Sequence, residues 1–305
     1  MMSMVPSSLP AQISHSLVSV PGVGQIAVSK SGRFIATADT SLAIHLEFDG
    51  NRLWSSGLRS ESCLLRPIDR IRGLAFSDDD ELLIAAINDS VVAFSIASAK
   101  AVWSYTPPRS FGFLVVSPLS VSAGEGRIAA SFDNGSVVQW TSDGRIAVIW
   151  HANDAPRQLK IARDEIVGTD SFSLTRWSMH AKVRRARIRM PERIYGFDAS
   201  ESHPYAVTRS LHYAHVWNLE TGKAEAKVEV GTGLPLVQCH PTEAAFVIAD
   251  RDQVVAHRYS GEEIARFDLF GERPLTMKFT PDGAQLLVGS AGSKLLRLPW
   301  SPAVG

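Results

Sequence analysis

Only two cysteines, Cys63 and Cys239, occur in 305 residues. They fall in repeats that are far apart, so a disulfide framework is excluded and a reducing compartment is expected. An excess of either charge is missing too: 31 basic residues meet 31 acidic ones. No global field therefore draws the chain to nucleic acid or to a membrane, and any such affinity has to come from a local patch. No run of about 18 apolar residues occurs. Met1 to Pro10 lacks the basic and apolar regions of a secretory signal, which leaves a cytoplasmic protein that does not span a membrane as the expectation. Catalytic vocabulary is absent as well, with no Gly-Lys-Ser/Thr loop, no His-Glu-x-x-His, no Cys-x-x-Cys and no Gly-x-Ser-x-Gly. No enzyme, metal or cofactor is expected.

What the chain does contain is a repeat. Ser131 to Trp140, Ser-Phe-Asp-Asn-Gly-Ser-Val-Val-Gln-Trp, reads as strand, tight turn, strand: Asp, Asn and Gly tolerate positive φ, and Val-Val-Gln-Trp has strand character. A turn followed by an apolar strand recurs at Ser29 to Ala38, Ser77 to Ala86, Ser122 to Ser131, Ala162 to Thr169, Ala199 to Thr208, His240 to Ala249 and Thr280 to Gly289. The period of roughly 40 residues is that of four-stranded propeller blades.

Another strand follows each copy, at Ser41 to Leu46, Ser90 to Ser95, Ser136 to Thr141, Ser173 to Ser178, Tyr213 to Asn218, Gln253 to Arg258 and Lys294 to Pro299. Outermost strands come next, at Asn51 to Ser56, Ala101 to Tyr105, Ile146 to Trp150, Val183 to Met190, Ala224 to Val230 and Glu263 to Leu269. Seven copies predict an all-β fold, a seven-bladed β-propeller of four-stranded antiparallel blades in one domain over residues 1–305. The blades lie near 21–58, 70–106, 112–152, 157–190, 194–230, 235–269 and 275–301. The last has no room for an outer strand, and residues 11–20 are expected to supply it and so remove two exposed sheet edges.

Asp133 to Trp140 and Tyr213 to Lys223 resemble the WD repeat, and the chain resembles a WD-repeat β-propeller over essentially its full length. The terminal dipeptide stands as Trp140-Thr141, Trp177-Ser178 and Trp217-Asn218, and no Gly-His dipeptide precedes any blade. Asn51 to Trp54 and Ala99 to Trp103 instead resemble quinoprotein-type propeller strands. Relatives of this kind are typically assembly scaffolds, so the resemblance implies a subunit that binds other proteins.

Candidate sites are few. His212 and His215 have a metal-like spacing, but an i, i+3 pair in a strand points to opposite faces. Asp78 to Glu81 lacks the ligand alternation of a calcium loop and reads as a solvated turn. The tryptophans of the outer strands read as packing between blades. In the fourth outer strand, period-2 alternation puts Arg185, Arg187 and Arg189 on one face, about 7 Å apart. They form a ribbon for phosphates, acidic peptide or anionic lipid, or simply guard an exposed edge.

A second pattern, Arg-x-x-Gly, recurs where the chain enters a blade, at Arg70 to Gly73, Arg109 to Gly112 and Arg193 to Gly196, with Arg157 and Arg273 near the equivalent place in two further blades. In a propeller such loops share one face, which makes Arg70, Arg72, Arg109, Arg157, Arg193 and Arg273, with Phe111 and Tyr195 as aromatic anchors, the expected seat of an acidic segment of a partner. The expected function is a non-catalytic protein-interaction scaffold in a multiprotein assembly, monomeric unless bound. The alternatives are nucleic-acid or anionic-partner binding through strand 182–193, and a quinoprotein-like or lactonase-type enzyme.

Overall fold

A computed structural model describes residues 23–39, 43–57, 71–109, 114–152, 155–180, 183–231, 233–292 and 295–301. These residues contain no helix, hence none long and apolar enough to cross a membrane. Their strands form seven antiparallel sheets, each a meander in chain order, and the fold is a seven-bladed β-propeller. Six sheets have four strands; the seventh has three among the described residues, Pro274–Phe279, Gln285–Ser290 and Leu295–Pro299. The strand expected to complete it, residues 11–20, lies outside the described residues, as do Cys63, Arg70, Phe111 and Lys182.

The chain divides into two compact units. From Val23 to Ile194 run four sheets, opening with Val23–Val28, Ile71–Phe76, Pro118–Gly124 and Gln158–Ala162. In this unit the second strand of each sheet is buried at every position or at all but its first. Leu82–Ile87 is buried at all six positions. Because side chains alternate, Leu83, Ala85 and Ile87 pack on the first sheet while Leu82, Ile84 and Ala86 pack on the third. Full burial of each Leu or Ile stabilises by about 1.5–3 kcal/mol, and the alanines let neighbouring sheets approach. The unit from Tyr195 onward repeats the device with Ala245–Asp250: Phe246 and Ile248 face the fifth sheet, Val247 and Ala249 the seventh.

Fourth strands are the exposed ones, and they share an irregularity. In each of the six four-stranded sheets the register between third and fourth strands slips by one residue. The residue left over is Leu53 in the first sheet, Val102 in the second and Arg185 in the fourth. A bulge of this kind turns the extra side chain away from the regular alternation, which accounts for Leu53 and Val102 being 50% and 58% exposed.

Specific contacts join neighbouring sheets within the first unit. The indole Nε1 of Trp54 donates to the carbonyl of Ile96 at 3.1 Å, and Trp103 repeats the contact one sheet on, to Ser142 at 3.2 Å. Trp103 also stacks on Trp140 with ring centroids 5.8 Å apart. Room for it comes from Gly144, whose φ is +82° and where a Cβ would sit 2.6 Å from the indole. The turn at Asp78 to Glu81, exposed at Asp79 and Glu81, also bonds its neighbours. Asp80 accepts from the amides of Lys30 and Ser31 at 2.9 and 3.1 Å, and Asp78 accepts from the amide of Gly126 at 2.6 Å. The acidic run thus ties its sheet to both neighbours. The third strand of the first sheet, read to end at Leu46, runs on to Phe48, because the Phe48 ring packs on Phe34 at 4.9 Å.

Candidate functional site

In a four-stranded meander the start of the first strand, the turn between second and third strands and the end of the fourth strand all lie at one end of the sheet. At that end of the second, third and fourth sheets the first unit has a cleft of about 770 Å³. Arg72, Leu119 and Arg157 reach it from the starts of first strands, Asp133 and Asp170 to Ser173 from the turns, and Arg187 and Arg189 from the end of the strand Arg184–Arg189.

Each arginine is placed by a local feature of the backbone. Arg72 is the extra residue of a bulge, since Ile71 pairs with Ile87 and Gly73 with Ala86. The bulge takes its side chain out of the ladder's alternation. Its Nε is buried and has no hydrogen-bond partner among the described residues. Arg157 precedes the strand Gln158–Ala162, and its amide donates to the Thr169 carbonyl at 2.7 Å, which leaves the side chain exposed. Arg187 donates from Nε to the Ser173 hydroxyl at 3.0 Å and from Nη2 to Asp170 at 3.2 Å. Asp170 is fixed in turn by the Phe172 amide, 2.6 Å away, and the Phe172 side chain stands 51% exposed at the cleft wall. Asp133 accepts from the Ser117 amide at 3.1 Å. Four guanidinium groups therefore face two carboxylates, and both carboxylates already hold a donor.

Two groups of residues that the sequence offers as separate candidates thus meet in one place: Arg72 and Arg157 from the segments that enter sheets, and Arg187 and Arg189 from the basic strand. Arg185 does not join them. It does not line the cleft, and although burial still alternates from Arg185 to Arg189, its Nη1 bonds Glu165 at 2.9 Å. Glu165 is also gripped by Arg176, at 2.7 and 2.8 Å. Arg109 and Arg193 are exposed but do not line the cleft. Tyr195, 39% exposed, and exposed Arg273 belong to the second unit. The sequence reading missed Asp133, Asp170 and Phe172, although their place in the turns between second and third strands could have pointed to them. Of the metal-like pair, His215 is buried and stacks on Trp217 while His212 is exposed. No group of three His, Cys, Asp or Glu residues among those described is arranged to hold a metal ion.

No model of a known protein family and no curated protein matches the chain. Solved structures do. A chain in a crystal structure of the mitotic checkpoint complex matches with a TM-score of 0.77 and 11% identity, over 98% of this chain and 96% of that one. The structure of U3-55K matches with a TM-score of 0.77 and 13% identity, over 94% of this chain and 98% of that one. The likeness is one of fold, the seven-bladed β-propeller. At such identities the propeller's role has to be argued from its own residues.

Proposed function

We propose that this propeller is a non-catalytic interaction scaffold, a WD-repeat-type subunit of a multiprotein assembly, which docks a partner protein at the cleft between its second, third and fourth blades. The observation that carries the reading is the meeting of Arg72, Arg157, Arg187 and Arg189 in one cavity beside the exposed ring of Phe172. Arginine and aromatic side chains grouped in a concavity are the residues most enriched where proteins bind each other. Loops held at one end of rigid sheets can vary at little cost to the sheets, which suits a docking platform. Asp133 to Trp140 and Tyr213 to Lys223 favour the WD-repeat kinship, and one of the similar chains comes from a complex.

The test is capture of partners from native lysate by the wild-type chain and by the double variant Arg157→Glu, Arg189→Glu, with protein and nucleic acid identified in each fraction. A protein held stoichiometrically by the wild type at moderate salt and lost by the variant is the expected result. Retention of that protein by the variant would place docking elsewhere. Recovery of nucleic acid alone, released by salt, would favour the basic strand as a phosphate ribbon. That alternative is weakened by Arg185 and Arg187, each already bonded to a carboxylate.

A further inference from the structure

The chemistry of the cleft narrows what the partner presents to it. We propose that the cleft takes a short, extended acidic segment of the partner protein, with at least two anionic groups, carboxylate or phosphate, and an apolar side chain set against Phe172. The inference rests on the scaffold reading of the same site.

Donors are in excess there. Asp170 is bonded to Arg187 and to the Phe172 amide, and Asp133 to the Ser117 amide. Arg72, Arg157 and Arg189 have no side-chain hydrogen bond or ion pair among the described residues. A buried guanidinium N–H without an acceptor, as at Arg72 Nε, costs the folded chain the desolvation of that group until something accepts from it. A carboxylate or phosphate does so with charge-assisted, often bidentate bonds, about twice as strong as neutral ones. Arg187, locked between Asp170 and Ser173, is a positioning residue: it holds the turn that carries Phe172 and adds positive potential without being free to move.

Size and charge select a peptide over larger anions. A cavity of about 770 Å³ falls in the range that encloses a drug-sized ligand, hence a few residues of extended chain and not a folded domain. Nucleic acid is disfavoured because the walls include two carboxylates and Phe172 is the one aromatic side chain among the described residues that line it. A strand of bases asks for a longer basic track with several stacking rings.

An array of random hexapeptides, with and without phosphoserine, probed with the full-length protein tests this. The expected result is strong enrichment of Asp, Glu or phosphoserine at two or more positions, and a dissociation constant for a selected peptide at least tenfold weaker in Arg157→Ala and in Arg189→Ala. Arg184→Ala changes an exposed arginine of the same strand that does not line the cleft, and it should leave the affinity unchanged. Phosphoserine peptides outcompeting their glutamate versions would identify phosphate as the preferred anion; equal binding would identify carboxylate. The proposal is overturned by binding without acidic preference, by a loss in Arg184→Ala equal to that in the cleft variants, or by full competition from inorganic phosphate alone. If acidic peptides fail while Arg157→Glu, Arg189→Glu still loses the captured partner, docking at the cleft stands and the acidic chemistry falls. If the partner also stays bound, both readings fall.

Discussion

The Nε2 of His240 donates to the carbonyl of Gly283 at 3.1 Å, linking equivalent turns of the sixth and seventh blades. A carbonyl only accepts, so Nε2 carries the ring proton, and Nδ1 accepts from the amides of Thr242 and Glu243 at 3.3 and 2.9 Å. The Phe279 and Trp300 rings lie 4.8 Å away on either contact. Gly283, at φ +73°, leaves the space: a Cβ there would fall 2.2 Å from the imidazole.

A pH dependence of stability follows from that burial. Desolvation holds His240 below its ordinary value of 6.5, against weaker opposing contributions from the Gly283 carbonyl and the Glu243 and Asp282 carboxylates; His203 nearby adds to the lowering. A depressed folded value means that stability is complete above 6.5 and is lost as the pH falls through the folded value, because the unfolded chain takes up the proton first. Melting temperature measured from about pH 7 down to pH 5 should therefore fall, and His240→Gln should flatten the slope. His257 is lowered by burial too and keeps part of it. Asp282, lowered mainly by the Thr280 hydroxyl, acts only at more acid pH, near its ordinary 3.8 and below. An unchanged slope in His240→Gln would exclude the imidazole as its source.

Glu165 offers a second test, within the first unit. Its side chain is 7% exposed and holds both Arg176 and Arg185. Glu165→Ala should cost about 2–4 kcal/mol in denaturant unfolding, since it removes a nearly buried carboxylate that pairs with two arginines. Arg185→Ala should cost under about 1 kcal/mol, because Arg185 is half exposed. Equal costs would mean that the bulged arginine holds the pair as firmly as Arg176 does.

The contrast between Arg185 and Arg189 shows what could be read in the chain. Strands such as Ser90–Ser95, Ser136–Thr141, Ser173–Ser178 and Tyr213–Asn218 fall where turn residues and β-branched runs put them, because such signals act within a few residues. The seven-fold repeat was legible for the same reason. A bulge that recurs in each of the six described fourth strands was not, since it is decided by pairing with the third strand, and neither was the partner of Arg185, the Glu165 carboxylate of another strand. Half of the site was legible, as arginines at the starts of sheets and on one strand. Their convergence, and the carboxylates of Asp133 and Asp170 beside them, depend on contacts among three sheets that no local pattern encodes. The bonds of the acidic run at Asp78 were not legible for a related reason, since its acceptors serve amides of neighbouring sheets.

Asp80 gives the third prediction. It sits at φ +57° and accepts two amides of the turn in the preceding sheet. Asp80→Ala removes both acceptors and places a less tolerant residue at positive φ. The expected cost is about 1–2 kcal/mol. Hydrogen exchange at Lys30 and Ser31 should accelerate while the sheet amides of Leu82–Ile87 keep their protection. Acceleration spread evenly over the unit would mean that the contact is not local.

Arg209 gives the last, in the second unit. It is fully buried, and its guanidinium serves backbone rather than a carboxylate: Nη1 donates to the carbonyls of Leu234, at 2.7 Å, and Ala249, and Nη2 to that of Gly231, at 3.0 Å. Burial pushes its pKa down to about 10, so the charge persists at neutral pH and is offset by carbonyl dipoles, with Asp250 adding its field. Those carbonyls belong to the segment joining the fifth sheet to the sixth, 231–236, and to the strand Ala245–Asp250. Arg209→Met fills the volume but orphans the carbonyls of Gly231 and Ala249, each worth about 1–3 kcal/mol when buried unpaired, less whatever water recovers, and takes one of two donors from that of Leu234. A loss on the order of 3–5 kcal/mol in chemical denaturation is expected. Arg209→Lys should fall between the two, because one ammonium cannot span carbonyls served by two guanidinium nitrogens. If Arg209→Met retained wild-type stability, the segment 231–236 would be held by its own packing, and the buried cation would need another explanation.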